Sequence, residues 1–480
     1  MFIGRKKELE ELGRFYAEDA FHFAVFYGRR RVGKTTLLNK FTENKETIYF
    51  TAMETTGKEN LEQLSRRIMS VLMPQAPQIP FLSFYDAFDF TFKTAGKKRV
   101  VFIIDEYPYL AGSDKSVSSV LQAIIDRYQN SSRLFLILCG SSMSFMENQV
   151  LGYKSPLYGR RTSQFKIEPF EYYECAEMLP GFSNEEKINL YGICGGIPDY
   201  ISRINNSLSV QKNTENLFFN TSGRLFEEPS NLLKQELKTP QTYNAIITAI
   251  ASGATRLNDI SSKAGIETSQ CSNMLASLIG LGIIRKEYPA GENMTGKPSR
   301  KTIYLFADFM FRFWYRFVLP DLSRISMGYG KMVCAEIFEK ARKSRMKQNN
   351  IMETYMGPVF EECAAQFLWR ELGKGKFDFN ILGRWWGSNP IEKNEEEIDL
   401  LAFGREGKLL FGECKWKNSL TGTETFLDLI RKSELFHDCR QKQYVLFSKT
   451  GFTAKLIKIA AQRKDTMLIS INDMFDFNNR

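Results

Sequence analysis

The chain has 480 residues, with 65 Lys and Arg against 55 Asp and Glu for a formal charge of +10. Its 43% hydrophobic and 25% charged residues exclude a disordered, collagenous or coiled-coil protein, and no apolar run approaches the ~18 residues of a membrane span. At roughly 100–200 residues per domain, the length predicts two to four domains. The opening Met1-Phe2-Ile3-Gly4 holds no apolar signal core, so a cytoplasmic protein without a membrane is expected. The eight Cys are scattered singly, with no Cys-x-x-Cys pair and with two His beside them. That pattern predicts buried free thiols and argues against a zinc cluster.

Five apolar runs in the first third read as buried strands: 21–27, 47–51, 100–104, 134–139 and 165–167. Helical patterns separate them, which predicts a parallel sheet with helices on both faces. The first run enters Gly28-Arg29-Arg30-Arg31-Val32-Gly33-Lys34-Thr35-Thr36, the full G-x-x-x-x-G-K-[ST] loop between a strand and a helix. Backbone N–H groups of Gly28 to Thr36 would curl around the phosphates of ATP. Lys34 would reach the β- and γ-phosphates, and Thr35 would bind Mg²⁺. The third run delivers Asp105 and Glu106 to the end of its strand, Asp105 for Mg²⁺ and Glu106 to polarise the attacking water. The fourth ends at Ser141, close to the γ-phosphate if its strand neighbours the first. Arg160 and Arg161 are candidates for neutralising charge in the transition state.

Phe2-Ile3-Gly4-Arg5-Lys6-Lys7-Glu8-Leu9 resembles the opening box of archaeal-type AAA-superfamily ATPases and the related signal-transduction (STAND) ATPases. The resemblance places Gly4 and Arg5 close to the adenine. Gly195-Gly196-Ile197-Pro198 resembles the later motif of those families, in which Pro198 would close over the nucleotide from a helical lid. The resemblance spans residues 1 to about 235.

From Gln241 the pattern turns helical, and two short helices around Gly265 read as a helix-turn-helix. Two short strands bracketing the turn-rich 289–299 then read as a wing. Ser269, Gln270, Ser272 and Asn273 would open the recognition helix, with Lys297 and Arg300 on or beside the wing. Residues 251–350 carry 16 Lys and Arg against 8 Asp and Glu, a local surplus that suits a phosphate backbone. DNA is the expected partner; a plain protein-binding winged helix is the alternative.

Further on, Gly357-Pro358 is expected to open a helix carrying Glu361. Residues 396–403 and 408–416 read as a hairpin turning at Gly404 to Gly407. Strand alternation puts Glu413 and Lys415 on one face, with Asp399 within reach on the neighbouring strand. Asp399 and Glu413 could hold Mg²⁺ against a phosphodiester while Lys415 steadies the nucleophile. The block resembles PD-(D/E)XK nucleases, Glu361 matching their accessory helix acid, Asp399 the central acid, and Glu413 with Lys415 the E-x-K. Cys414 and Trp416 depart toward the Glu-Cys-Lys-Trp version found behind archaeal-type ATPases.

The expected fold is therefore multi-domain α/β. A P-loop NTPase parallel sheet with helical lid spans 1–235, a winged helix-turn-helix 236–320, a basic helical linker 321–355, and a restriction-endonuclease-like α/β domain 356–480. Two functional readings stay open. One is an ATPase coupled to DNA binding and a Mg²⁺-dependent nuclease. The other is a STAND-type switch whose C-terminal fold binds partners without cutting. A homo-oligomer is compatible with both, because the arginine at the γ-phosphate can come from the chain itself or from a neighbour.

Overall fold

Strand β1 (His22–Tyr27) is buried along its whole length, as are β3 (Val100–Asp105) and β4 (Leu134–Gly140). Such unbroken apolar strands form where helices cover both sheet faces. With β2 (Thr47–Thr51) and β5 (Ser163–Lys166) they make one sheet in the order β2-β3-β4-β1-β5. All its pairings are parallel. The computed structural model describes residues 2–292, 301–343, 351–374, 377–390 and 392–476. The chain divides into two units, Met1–Phe170 with Ile197–Asp199, and Glu171–Gly196 with Tyr200–Arg480. The parallel sheet is the centre of the first. Its core packs the Gly57–Leu72, Phe84–Thr94 and Val117–Tyr128 helices on residues such as Phe23, Phe102 and Leu136.

In the second unit, helices Pro240–Ala251, Leu257–Ala264 and Thr268–Gly280 precede an antiparallel pair, β6 (Ile284–Glu287) and β7 (Ile303–Phe306). Gly265 caps the middle helix at φ +65, the left-handed turn that glycine adopts without strain. Farther along lies a mixed sheet, β12-β11-β10-β9-β8. Here β8 (Ile381–Asn389), β9 (Asn394–Phe403) and β10 (Lys408–Lys415) run antiparallel, whereas β11 (Gln441–Ser448) and β12 (Thr466–Ser470) continue parallel to β10. The chain is thus a multi-domain α/β protein, with a P-loop ATPase-like parallel-sheet core and a separate C-terminal mixed sheet.

One expectation is corrected. The helix carrying Glu361 opens at Ile351, not at Gly357, and Pro358 lies inside it. Met352, Tyr355, Met356, Val359, Phe360 and Cys363 are all buried, so an apolar stripe at helical spacing outweighs the local proline signal. The stripe seats the helix against β10, where Phe360 meets Trp416 with ring centroids 5.2 Å apart. Residues 351–355, read as part of a linker, belong to this helix. The side chains of the basic run 340–347 lie outside the described residues. All eight cysteines are free, seven of them buried. Among the described residues no helix is long and apolar enough to cross a membrane.

Candidate functional site

The loop between β1 and the Lys34–Thr42 helix is shaped by two glycines. A Cβ on Gly28 would stand 2.4 Å from the Ile167 carbonyl oxygen, so only glycine lets the end of β5 close on the loop. Gly33 takes φ +93 and Arg31 takes +66, turning the chain into the helix. Lys34, 6% exposed, folds back and donates from Nζ to the carbonyls of Gly28 at 2.7 Å and Arg29 at 3.0 Å. Burial, partly offset by Glu106 and Asp105, pulls its ammonium below the ordinary lysine value. Thr35 Oγ1 donates to Asp105 Oδ2 at 3.3 Å. Thr36, one position on, is exposed. Arg29 is buried, and Arg30 donates to the Tyr109 hydroxyl at 3.4 Å.

Strand β4 lies directly beside β1, the condition on which Ser141 was expected near the phosphates. Its hydroxyl donates to both Glu106 carboxylate oxygens, at 2.9 and 3.0 Å. Glu106 has left-handed backbone geometry (φ 50, ψ 43), which turns its side chain toward β4. Sequence reasoning missed Tyr49, whose hydroxyl donates to Asp105 Oδ2 at 2.8 Å. Its residue type on the strand beside β3 was the available signal. Burial and Asp105 raise that phenol above its ordinary value.

Arg5 also lies in this unit. It follows Gly4 (φ 67) in left-handed geometry at the start of the Lys6–Ala17 helix. Its guanidinium donates to the Val32 carbonyl at 3.1 Å and the Glu168 carbonyl at 2.5 Å, and stacks 4.7 Å over Phe170. Pro198 packs against Gly33, its Cγ 3.9 Å from where a Cβ would be, and Asp199 pairs with Arg31 at 4.0 Å. The loop, Asp105, Glu106, Ser141, Arg5 and Pro198 are therefore brought together. Arg160 is not. It precedes β5, whose Ser163 pairs with Ala24, four residues or about 13 Å before the loop, whereas the charge of Arg161 acts on Tyr27, the residue just before the loop. Arg160 is held by both Asp126 carboxylate oxygens at 2.7 Å.

In the second unit β9 and β10 pair so that Gly412 faces Leu400. The next step of the ladder carries Asp399 and Glu413. Asp399 Oδ2 accepts the Cys414 N–H at 2.8 Å. Burial, then Glu413 and Glu361, push its carboxyl up to about 8. Glu413 is 6% exposed; it pairs with Lys415 and, through Oε2, lies 3.5 Å from Lys432. That oxygen has no hydrogen bond. Burial opposes the Lys415 charge, yet Glu413 and Asp399 outweigh it and the net shift is upward. Glu361 is paired with Arg384. The register of β8 on β9 slips between Gly383 and Trp385, a bulge that re-aims Arg384. Lys432 and Arg384 were not foreseen. Among the described residues no group of three or more His, Cys, Asp or Glu is placed to hold a metal ion.

On the Thr268–Gly280 helix, Ser269, Gln270, Ser272 and Asn273 are all exposed, opposite buried Cys271, Met274, Leu275 and Leu278. Glu267 caps this helix, accepting the Gln270 N–H at 3.1 Å. Lys297 and Arg300 lie outside the described residues. Part of the local positive surplus is neutralised: Arg285 pairs with Glu287 and Glu362 at 2.6 Å each, and Arg324 with Glu336 at 2.7 Å.

Residues 2–204 match the family described as an ATPase domain predominantly from Archaea. Residues 314–426 match one described as Archaea bacterial proteins of unknown function. An uncharacterized protein of Methanocaldococcus jannaschii, MJECL04, is 34% identical over 456 residues, which cover 94% of this chain and 96% of that one. An uncharacterized ATP-binding protein of the same organism, MJ0423, is 54% identical over 46 residues, 10% of this chain and 78% of that one. Among solved structures, the Walker-type ATPase of Pyrococcus abyssi shares the fold. Its TM-score is 0.51 at 19% identity, over 66% of this chain and 96% of that one. The chain belongs to the same family as MJECL04, and its N-terminal part is an archaeal-type P-loop ATPase domain.

Proposed function

We propose that the chain binds and hydrolyses ATP and uses the nucleotide state to control a DNA-associated C-terminal half. The observation that carries the ATPase reading is the convergence of Lys34, Thr35, Asp105 and Glu106 at the C-terminal ends of the parallel strands β1 and β3, which flank β4, where such sheets bind ligands. Thr35 Oγ1 and Asp105 Oδ2, 3.3 Å apart, are hard oxygen donors suited to Mg²⁺. The bound ion would supply neutralisation of phosphate charge. Lys34 would exchange the Gly28 and Arg29 carbonyls for phosphate oxygens. Glu106 would accept the proton of the attacking water, and Ser141 is its positioning residue. Glu106→Gln is expected to keep ATP binding and lower turnover by roughly 10²-fold or more, the range of a lost general base. Unchanged turnover in a phosphate-release assay would remove Glu106 from this role.

The domain assignment 1–235, 236–320, 321–355 and 356–480 is part of the same proposal. Three helices followed by an antiparallel strand pair support a winged helix. The exposed row of Ser269, Gln270, Ser272 and Asn273 supports base contact. Gln270→Ala with Asn273→Ala is expected to reduce DNA affinity roughly tenfold; equal affinity would leave this face without a DNA role.

Buried Glu413, with an oxygen that no hydrogen bond satisfies, and half-buried Asp399 beside it support a cation between the two carboxylates, with Lys415 beside the reacting phosphate. Mg²⁺-dependent DNA cleavage by the wild type, lost in Lys415→Ala, is the expected result. The alternative, a switch that binds without cutting, is favoured by one observation. Glu361 is already held by Arg384 and Glu413 by Lys415 and Lys432, and among the described residues no group of three acids is placed to hold a metal ion. No cleavage of any DNA or RNA by the wild type would establish that alternative.

A further inference from the structure

The second unit contains a cavity of about 570 Å³ that none of the chemistry above uses. It is formed where the Pro240–Ala251 helix, β7, the Phe309–Phe313 helix, the Ile351–Glu371 helix and β8 contribute walls. Four arginines line it, Arg285, Arg312, Arg316 and Arg384, and no Asp or Glu is among the lining residues. Arg285 and Arg384 have their charge met from outside the cavity, by Glu287 and Glu362 and by Glu361 and Glu397. Arg312 and Arg316 form no ion pair with a carboxylate among the described residues.

The guanidinium of Arg312 lies 4.4 Å over the ring of Tyr355. That ring is fixed, because its hydroxyl donates to the Gly192 carbonyl at 2.7 Å and the Phe309 carbonyl at 3.2 Å. Burial pulls the guanidinium below its ordinary value, with Arg285 and Arg384 adding to the effect and Tyr355 and Glu361 opposing it. A half-buried cation among other cations favours an anion from outside. Arginine's planar fork matches phosphate oxygens two at a time.

The rest of the cavity is far larger than a phosphate. Its volume is in the range of small-molecule sites, roughly 300–1,000 Å³, and Ile250, Leu305, Phe306, Phe309 and Ile351 supply apolar wall. Thr354 and Pro358 share another wall. Because Pro358 has no N–H, the Thr354 carbonyl is not engaged by the helix ladder at that step.

We propose that this cavity binds a 5′-nucleoside monophosphate group, its phosphate between Arg312 and Arg316 and its base against the Phe309 wall. The group could arrive as a free nucleotide or as the 5′-phosphorylated end of a strand; the chemistry recognised is the same. No P-loop residue lines the cavity.

The test uses the full chain carrying Lys34→Ala, so that the P-loop makes no contribution. It is titrated calorimetrically with AMP, adenosine, and a short oligonucleotide bearing either a 5′-phosphate or a 5′-hydroxyl. Saturable one-to-one binding of AMP identifies the free nucleotide, and binding of the 5′-phosphorylated oligonucleotide alone identifies the strand end. In either case the partner lacking phosphate should bind at least tenfold more weakly. Arg312→Gln and Arg316→Gln should each weaken binding at least tenfold. Arg316 is exposed, so Arg316→Gln reports on the site even if loss of the Arg312–Tyr355 stack disturbs folding. Absence of saturable binding by both phosphorylated probes, equal binding of adenosine and AMP, or unchanged affinity in Arg316→Gln would overturn the assignment.

Discussion

Lys34→Ala is expected to eliminate ATP binding while leaving the fold intact. The Lys34 ammonium is buried and donates to the Gly28 and Arg29 carbonyls, and burial disfavours its charge. Removing it leaves two carbonyls without that donor, a loss of about 1–3 kcal/mol each if water cannot reach them. It also removes the desolvation of a cation, which acts in the opposite direction. The ligand-free melting temperature should therefore move by a few degrees at most. The effect on binding is different in kind, since nothing else in the loop reaches the phosphates with a full positive charge from the same position. Wild type at an ATP concentration of 100 times Kd should gain about 2.7 kcal/mol of stability; the variant should gain none. A retained ATP-induced shift in thermal unfolding would contradict the assignment of the loop.

Asp399→Asn should have the next largest effect, and its sign depends on pH. The carboxyl is pushed from its ordinary 3.8 up to about 8, so the folded state binds a proton that the unfolded state has already released. A raised pKa of this kind leaves stability intact below about pH 4 and removes it progressively as pH rises through 8. Asparagine keeps an oxygen for the Cys414 N–H and never ionises. The variant should match wild type near pH 4 and exceed it increasingly toward pH 8.5, by an amount on the order of a few kcal/mol. If Asp399 and Glu413 hold Mg²⁺, added Mg²⁺ at pH 8.5 should stabilise wild type and not the variant. A stability difference that stays flat from pH 4 to 8.5 would show that Asp399 is ionised throughout.

The parallel sheet was legible nearly to the residue. Runs such as 100–104 and 134–139 are uniformly apolar and end in polar or turn residues, so their boundaries are written locally. The P-loop and Asp105-Glu106 are contiguous motifs and were legible for the same reason. Features that depend on register were not. Arg160 looks well placed in the linear order, but β5 runs parallel to β1 and so puts it at the end of the sheet away from the loop, on Asp126. The reach of Ser141 to Glu106 depends on a left-handed residue that no local pattern announces. Pro358 carried a local signal that a longer apolar stripe overrode. In the C-terminal sheet the β9–β10 hairpin was readable from alternation, whereas β8, with Trp385 and Trp386 side by side around a bulge, has no clean period. The arginine cavity was invisible because residues 285, 312, 316 and 384 meet only after folding.

The left-handed backbone of Glu106 bears on how such a protein can change its trade. A residue with a side chain in this region carries strain of order 1 kcal/mol or more, least for asparagine, aspartate and glycine. Glutamate therefore stands at this position against local backbone preference, and the small residues that would relax the backbone also lack its reach to Ser141. Glu106→Asn would silence hydrolysis and ease the turn in one substitution. Drift from an engine that turns over to a latch that only holds its nucleotide would meet no stability barrier here. A descendant of this chain could become a timer set by nucleotide release instead of cleavage, with Lys34, Thr35 and Asp105 untouched.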